Sequence, residues 1–142
     1  MKKLFFVFFI FSILFISQQS YAVLDEEKVY QGISYACTGV AESKEDPRWK
    51  SYPLKLMFTT ANRAYISEVE VSVRDSAGKE VLKTQCDGPW FLAKLKPGGY
   101  SIQLKPEGAA LKTMKVTVPA SGQNEMAVRF PEISEGSGKT AY

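Results

Sequence analysis

The sequence predicts an all-β sandwich of seven or eight short strands, preceded by an export signal and one short helix. Apolar and polar residues alternate along most segments after residue 52, which is typical of strands with one buried face. Turn-forming clusters of Gly, Pro, Asp and Ser recur about every 8 to 12 residues, the spacing expected of a β-sandwich. No long helical pattern is available to cover a parallel sheet.

Residues 1–22 have the layout of a secretory signal peptide. Lys2 and Lys3 precede an apolar run over residues 4–16, and Ser20 and Ala22 place small residues at the −3 and −1 positions of a cleavage site. The alternative is a retained anchor, but spanning a bilayer takes about 20 apolar residues, more than this run supplies. We therefore expect cleavage after Ala22, a periplasmic or secreted mature chain, and no stable membrane insertion.

Residues 23–51 are expected to form an N-terminal leader. Residues 23–29 are charged, so we predict a loose segment there, and a first strand is predicted over residues 33–37. Asp46 followed by Pro47 is typical of an N-cap and the first helical position, which predicts one turn of helix over Pro47–Ser51.

The sandwich itself is predicted over residues 52–130. Its first two strands have core-facing residues at every second position, namely Leu54, Leu56, Phe58, Val69, Val71 and Val73. The turn at residues 75–78 predicts a hairpin to a strand over residues 80–85. A second turn at residues 86–89 predicts that residues 90–95 return as a further hairpin strand.

Three more strands complete the predicted sandwich. They cover residues 100–105, 111–118 and 126–130, each with alternating apolar residues and each bounded by a turn. Residues 131–142 are rich in Gly, Ser and charge, which predicts a disordered tail.

Cys37 and Cys86 are the two cysteines of the chain, and both lie in the exported part. An even pair in an oxidising compartment predicts a disulfide. The alternative is two unpaired buried thiols. The pair would close a loop of about 50 residues, which stabilises a domain by about 4 kcal/mol in the chain-entropy model.

Composition argues against several functions. Without Lys2 and Lys3, 16 basic residues oppose 15 acidic ones, a net charge of +1, so we expect no nucleic-acid partner. The chain has no His, which removes Ser-His and Cys-His catalysis and His-ligated metal sites. We therefore predict no enzyme, no catalytic residue, no cofactor and no metal site. A paired-carboxylate site stays open, with Glu68 and Glu70 on one strand face.

Residues 87–102 resemble the carboxypeptidase regulatory-like domain. The matching positions are Phe91, Leu95, Pro97, Gly98 and Tyr100, and the valine strand with its D-x-x-G turn at residues 69–79 is similar to a hairpin of that family. The resemblance implies a transthyretin-like (prealbumin-like) Greek-key β-sandwich that serves as an accessory module. The matched residues have structural roles, since Tyr100 is placed to bury its ring and bond its hydroxyl to nearby backbone.

The mature chain also resembles a group of small exported proteins of Gram-negative bacteria. Gly32, Ile33, Ser34 and Tyr35 carry this likeness together with residues 87–91. The sequence departs from those relatives at both cysteines, where Gly and Ser or Thr are expected, and two such departures fit an added disulfide.

We therefore predict an exported, non-catalytic binding or interaction module whose partner is another envelope protein. The alternative is a carbohydrate-binding sandwich in which Trp49, Tyr65 and Trp90 stack on sugar rings. These aromatic residues lie at predicted element ends or turns, where rings can be exposed. The opposing expectation is that both tryptophans fill the core.

Overall fold

Two β-sheets pack face to face in the computed structural model, which describes residues 25–133. The predicted all-β sandwich is confirmed at this level. The predicted signal peptide and residues 134–142 of the predicted tail lie outside the described residues. Among those described, no helix is both long and apolar enough to cross a membrane.

The described chain forms nine strands and two 3₁₀ helices. The strands are β1 (Lys28–Tyr30), β2 (Ile33–Thr38), β3 (Leu54–Thr60), β4 (Val69–Arg74), β5 (Glu80–Cys86), β6 (Trp90–Ala93), β7 (Gly98–Pro106), β8 (Lys112–Val118) and β9 (Asn124–Phe130). The 3₁₀ helices η1 (Ala41–Glu45) and η2 (Pro47–Ser51) lie between β2 and β3.

One sheet has five strands in the order β1-β2-β6-β3-β9, and the other has four in the order β5-β4-β7-β8. Strand β9 runs parallel to β3, and the other pairs are antiparallel. The alternation read from the sequence is confirmed, because the apolar residues of each strand meet between the sheets. The largest of these buried side chains include Phe58, Phe91, Phe130, Leu54, Leu56, Leu82, Ile102 and Leu104.

The N-terminal leader is part of the sandwich, which corrects its predicted separation at residue 52. Strand β1 pairs with β2, and β2 pairs with β6 inside the five-stranded sheet. Lys28 and Val29 lie in the segment predicted to be loose, because a three-residue edge strand carries no periodic apolar signal. Strand β1 is also the additional strand that makes the number of described strands nine, compared with the seven or eight predicted.

Strand β6 does not form the predicted hairpin with β5. The chain crosses between the sheets after Cys86, and β6 inserts between β2 and β3. Gly88 allows this crossing, since a Cβ there would lie 2.5 Å from the backbone oxygen of Thr38. All four residues of β6 are buried, as expected for a central strand covered on both faces.

Several local predictions are confirmed. The side chain of Asp46 caps η2 by accepting a hydrogen bond from the Arg48 backbone N–H at 2.9 Å. The Tyr100 hydroxyl donates to the backbone oxygen of Lys96 at 2.7 Å. Helix η1 was not anticipated. Ile133 is 5% exposed and packs in the core, so the start of the predicted disordered tail is ordered.

The predicted disulfide is present between Cys37 and Cys86, with Cα atoms 5.3 Å apart. It joins β2 of the five-stranded sheet to β5 of the four-stranded sheet. A disulfide indicates an oxidising, non-cytoplasmic compartment.

Candidate functional site

The outward face of the five-stranded sheet forms a shallow trough between η1, η2 and the β3–β4 loop. Strand register fixes its three rows. The first holds Lys55 beside Glu125, the second Trp90, Met57 and Ala127, and the third Tyr65, Thr59 and Arg129. Neighbouring strands lie about 4.8 Å apart, and successive rows are about 7 Å apart along them.

Two neighbouring clefts make up the trough. The smaller, of about 310 Å³, is lined by Met57, Thr59, Arg63, Tyr65, Ala127 and Arg129. The larger, of about 410 Å³, lies beside η1 and η2, and its lining includes Lys44, Asp46, Trp49, Lys55, Trp90 and Glu125. We call the smaller one the arginine cleft.

A second apolar cluster forms one wall of the trough. Trp49, Tyr52 and Trp90 are buried there with Ala36 and Leu92, outside the main core. Helix η2 supplies Trp49, and the rings of Trp49 and Tyr52 lie 5.7 Å apart. This cluster explains why both faces of β6 are apolar.

Hydrogen bonds hold η2 on this cluster. The Trp49 indole N–H donates to the Ser43 backbone oxygen at 2.7 Å. The Gln123 side chain, in the β8–β9 loop, donates to the backbone oxygens of Trp49 and Tyr52 at 2.7 and 2.9 Å. The wall is thus tied at both ends, which makes it a rigid boundary for the trough.

The structure brings the three predicted aromatic residues together, but it buries two of them. Trp49 is 3% exposed, Trp90 is 8% exposed, and Tyr65 is half-buried. The tryptophans fill the space between the sheet and η2, which agrees with the expectation that they are buried and contradicts the alternative in which their rings are exposed.

A cation faces each of these three rings. The Lys55 ammonium lies 3.6 Å from the Trp90 ring centroid, and the Lys44 ammonium lies 4.8 Å from that of Tyr65. The Arg48 guanidinium lies 4.8 Å from the Trp49 ring. Such cations occupy the ring faces on which a sugar would stack.

The cations of the trough differ in whether they have an acidic partner. Lys55 lies 3.4 Å from Glu125, and Arg48, which lies on η2 beside the trough, is 2.7 Å from Asp46. Within residues 25–133, the guanidinium groups of Arg63 and Arg129 have no carboxylate within 4.0 Å and no hydrogen-bond acceptor. The arginine cleft therefore carries uncompensated positive charge.

A tight turn after β3 places Arg63. The Arg63 N–H donates to the Thr60 backbone oxygen at 3.1 Å, and the Thr60 N–H donates to that of Ala64 at 2.8 Å. The Thr60 hydroxyl also accepts from the Ala64 N–H at 3.2 Å. Arg63 has a left-handed backbone conformation with φ of 65°, which residues other than glycine rarely adopt.

A buried tryptophan donor in the wall of the trough is unsatisfied. The Trp90 indole N–H finds no hydrogen-bond partner among the described residues. Leaving such a group unpaired costs about 1–3 kcal/mol. An acceptor carried by a ligand would recover part of that cost if it reached the nitrogen.

Ionisable groups reinforce the surrounding frame. The hydrogen bond from Arg48 lowers the pKa of Asp46 and raises the pKa of Arg48. At the other end of η2, burial and nearby Glu27 raise the pKa of Tyr52. The nearby Tyr52 hydroxyl and the Lys94 ammonium in turn lower the pKa of Glu27. These groups are fixed in one protonation state near neutral pH, so they act as structure.

Sequence reasoning missed the arginine cleft. Alternation along β3 already placed Met57 and Thr59 on the face opposite the core, so this part of the cleft lining could be predicted. Arg63 and Arg129 could not, because only the parallel pairing of β3 with β9 brings them to one place.

The carboxylate pair left open by the sequence does not form a separate centre. Glu68 and Glu70 line an open surface cleft with Lys105 and Glu107, and Glu70 lies 3.6 Å from Lys83. In residues 25–133 no group of three or more Cys, Asp or Glu side chains is placed to hold a metal ion.

Comparison with known proteins adds no assignment. No protein-family model matches the chain, and no curated protein sequence is significantly similar to it.

Proposed function

We propose that this protein is an exported, non-catalytic binding module of the cell envelope, and that the trough is its binding surface. The observation that carries the proposal is the uncompensated charge of the arginine cleft beside a rigid aromatic wall. Folding brings two arginines to one cleft without an acidic partner among residues 25–133, although an acidic partner would stabilise each of them. A ligand with the opposite charge would pair with these two arginines, which is the role that we propose for the cleft.

An envelope protein is the partner that we favour over a glycan. Carbohydrate binding through Trp49, Tyr65 and Trp90 needs free ring faces, whereas each of these rings faces a cation. The export signal read from residues 1–22 and the disulfide both support a periplasmic or secreted location.

We also propose kinship with the carboxypeptidase regulatory-like domains and their Greek-key, transthyretin-like sandwiches. The two packed sheets and the backbone bond of Tyr100 support it. Those domains are accessory modules, which agrees with a binding role, although fold alone does not imply function.

Co-purification from envelope extract tests the binding surface. Ala127 is exposed at the centre of the trough, so Ala127→Trp should fill it without disturbing the core. Thr113→Trp, at an exposed position of β8 on the other sheet, is the matched control. We expect wild type and Thr113→Trp to retain the same partner and Ala127→Trp to lose it. Equal recovery by all three baits would exclude the trough.

A further inference from the structure

The arginines of this chain fall into two groups by their surroundings. The chain has four, and Arg48 and Arg74 lie within 4.0 Å of Asp46 and Glu80 respectively. The two others, Arg63 and Arg129, have no such partner within residues 25–133, and both line the arginine cleft. No carboxylate is among the residues lining that cleft.

We infer that the arginine cleft binds a side-chain carboxylate of an acidic, extended peptide segment, with Arg63 and Arg129 as the recognising pair. The inference rests on the function proposed above and names the ligand chemistry of the same surface. A guanidinium presents a planar fork of N–H donors that matches the two oxygens of a carboxylate. Two such forks around one cleft favour an anion over any neutral group.

The remaining lining fits the stem of an acidic side chain. Met57 and Ala127 form an apolar floor, and Thr59 and Tyr65 add hydroxyl groups at the side. A methylene stem lies on the floor while its carboxylate reaches the arginines. Ala127 has the smallest side chain of the lining, and it leaves room above the sheet.

Two features favour a peptide over an acidic sugar. The Lys44 ammonium lies over the Tyr65 ring at 4.8 Å, so this ring is not free to stack on a pyranose. Strand β9, which supplies Arg129, is an edge strand paired only with β3 among the described strands. The Lys112 ammonium donates to the Arg129 backbone oxygen at 2.8 Å, and the rest of this strand edge is within reach of an extended peptide for main-chain hydrogen bonds.

Binding of defined probes to the mature protein tests this inference. The first probe is a fluorescein-labelled, capped peptide of alternating Glu and Gly, and the second replaces each Glu by Gln. We expect the Glu peptide to bind, the Gln peptide to bind at least about tenfold more weakly, and the difference to shrink as salt rises. Oligomers of galacturonic acid are the third probe, since they carry the same carboxylate on a sugar.

Charge-matched variants separate the cleft from general attraction. Arg63→Gln with Arg129→Gln should weaken the Glu peptide at least about tenfold. Lys79→Gln with Lys115→Gln removes the same charge at exposed positions outside the trough and should change binding less than about twofold. Arg63→Lys with Arg129→Lys keeps the charge and should give an intermediate loss. Thermal melts confirm that every variant is folded.

Three results would overturn the inference. The first is equal binding of the Glu and Gln peptides. The second is an equal loss of binding in the double arginine-to-glutamine variant and in the control at Lys79 and Lys115. The third is arginine-dependent binding of galacturonic acid oligomers without binding of the Glu peptide. If Ala127→Trp still abolishes partner capture in those cases, the proposed function stands and only the ligand assignment fails. If Ala127→Trp captures the partner normally, the proposed function itself fails.

Discussion

Gly39 lies against the indole of Trp90, where any side chain would collide. Its φ is +96°, and a Cβ at this position would lie 2.5 Å from the Trp90 Cγ atom. Gly39→Ala therefore forces the ring or the strand end to move, because a packed site does not absorb an extra methyl group. We expect a loss of at least about 2 kcal/mol of stability, or a Tm lower by about 8 °C at about 4 °C per kcal/mol.

Gly78→Ala is the control for that substitution. Gly78 has a similar φ of +81° but no atom within 4 Å of the added Cβ. It reports the backbone cost alone, about 1 kcal/mol. Equal melting of the two alanine variants would show that Trp90 is not packed against Gly39 as described.

Asp46 carries a pH dependence whose sign follows from its contacts. The hydrogen bond from Arg48 lowers its pKa in the folded protein, so the carboxylate stabilises the fold above its ordinary pKa of about 4. This stabilisation is lost as the pH falls from about 4 through the lowered folded-state pKa. Asp46→Asn keeps an N-cap acceptor but removes the charge, and we expect it to cost about 1 kcal/mol at pH 7.

Urea unfolding at about pH 7 and pH 3 measures this effect. Wild type should have a smaller advantage over Asp46→Asn at the lower pH than at pH 7. Glu45→Gln is the control, since Glu45 is exposed and makes no ion pair with a described cation. A gap between wild type and Asp46→Asn that stays constant with pH would contradict the assigned role of the charge.

Strands β2 and β5 belong to different sheets, and the Cys37–Cys86 disulfide is the covalent tie between them. Replacing both cysteines by Ala removes a cross-link that restricts the unfolded chain. The free energy of unfolding should therefore fall by about 2–4 kcal/mol. The Tm should fall by about 8 to 16 °C. Reduced wild type should melt near the variant, which controls for packing effects of the two methyl groups.

Mass spectrometry checks the same bond directly. The reduced mature protein should be heavier than the non-reduced protein by about two hydrogen atoms. Titratable thiols in unfolded protein that was isolated without reductant would contradict the bridge.

Side-chain alternation predicts the buried face of each strand here and does not predict its neighbours. Leu54, Leu56 and Phe58 specify the inner face of β3 unambiguously, because a shift of one residue would expose all three. Nothing in their pattern specifies that β6 lies on one side of β3 and β9, in parallel, on the other. Those pairings depend on where the connections at residues 87–89 and 119–123 cross between the sheets.

The same limit applies to the trough. The sequence placed Trp49, Tyr65 and Trp90 among the candidate binding residues, and folding does gather them on one surface. Burial of the two tryptophans was one of the two expectations, and the sequence alone does not decide between them because burial depends on η2 covering the outward face of β6. Because the tryptophan rings are buried, the polar groups around them are the ones that remain accessible on that surface.

At the scale of the described molecule, the two outer sheet faces differ in how their arginines are arranged. The five-stranded sheet carries the trough, with η2 as a wall and, at one end, Arg63 and Arg129, which have no acidic partner among residues 25–133. On the four-stranded sheet, Glu70 and Arg74 lie beside oppositely charged partners on β5. A partner that binds through acidic groups should therefore approach from the side of the five-stranded sheet.

Site-specific photo-crosslinking in intact cells tests that direction of approach most directly. A photoreactive phenylalanine analogue at position 127 would sit in the trough, and the same residue at position 113 would sit on the four-stranded sheet. We predict a discrete adduct with one envelope protein from position 127, weakened by Arg63→Gln with Arg129→Gln, and none from position 113. Adducts of equal yield from both positions, or from position 113 alone, would contradict the trough as the binding surface.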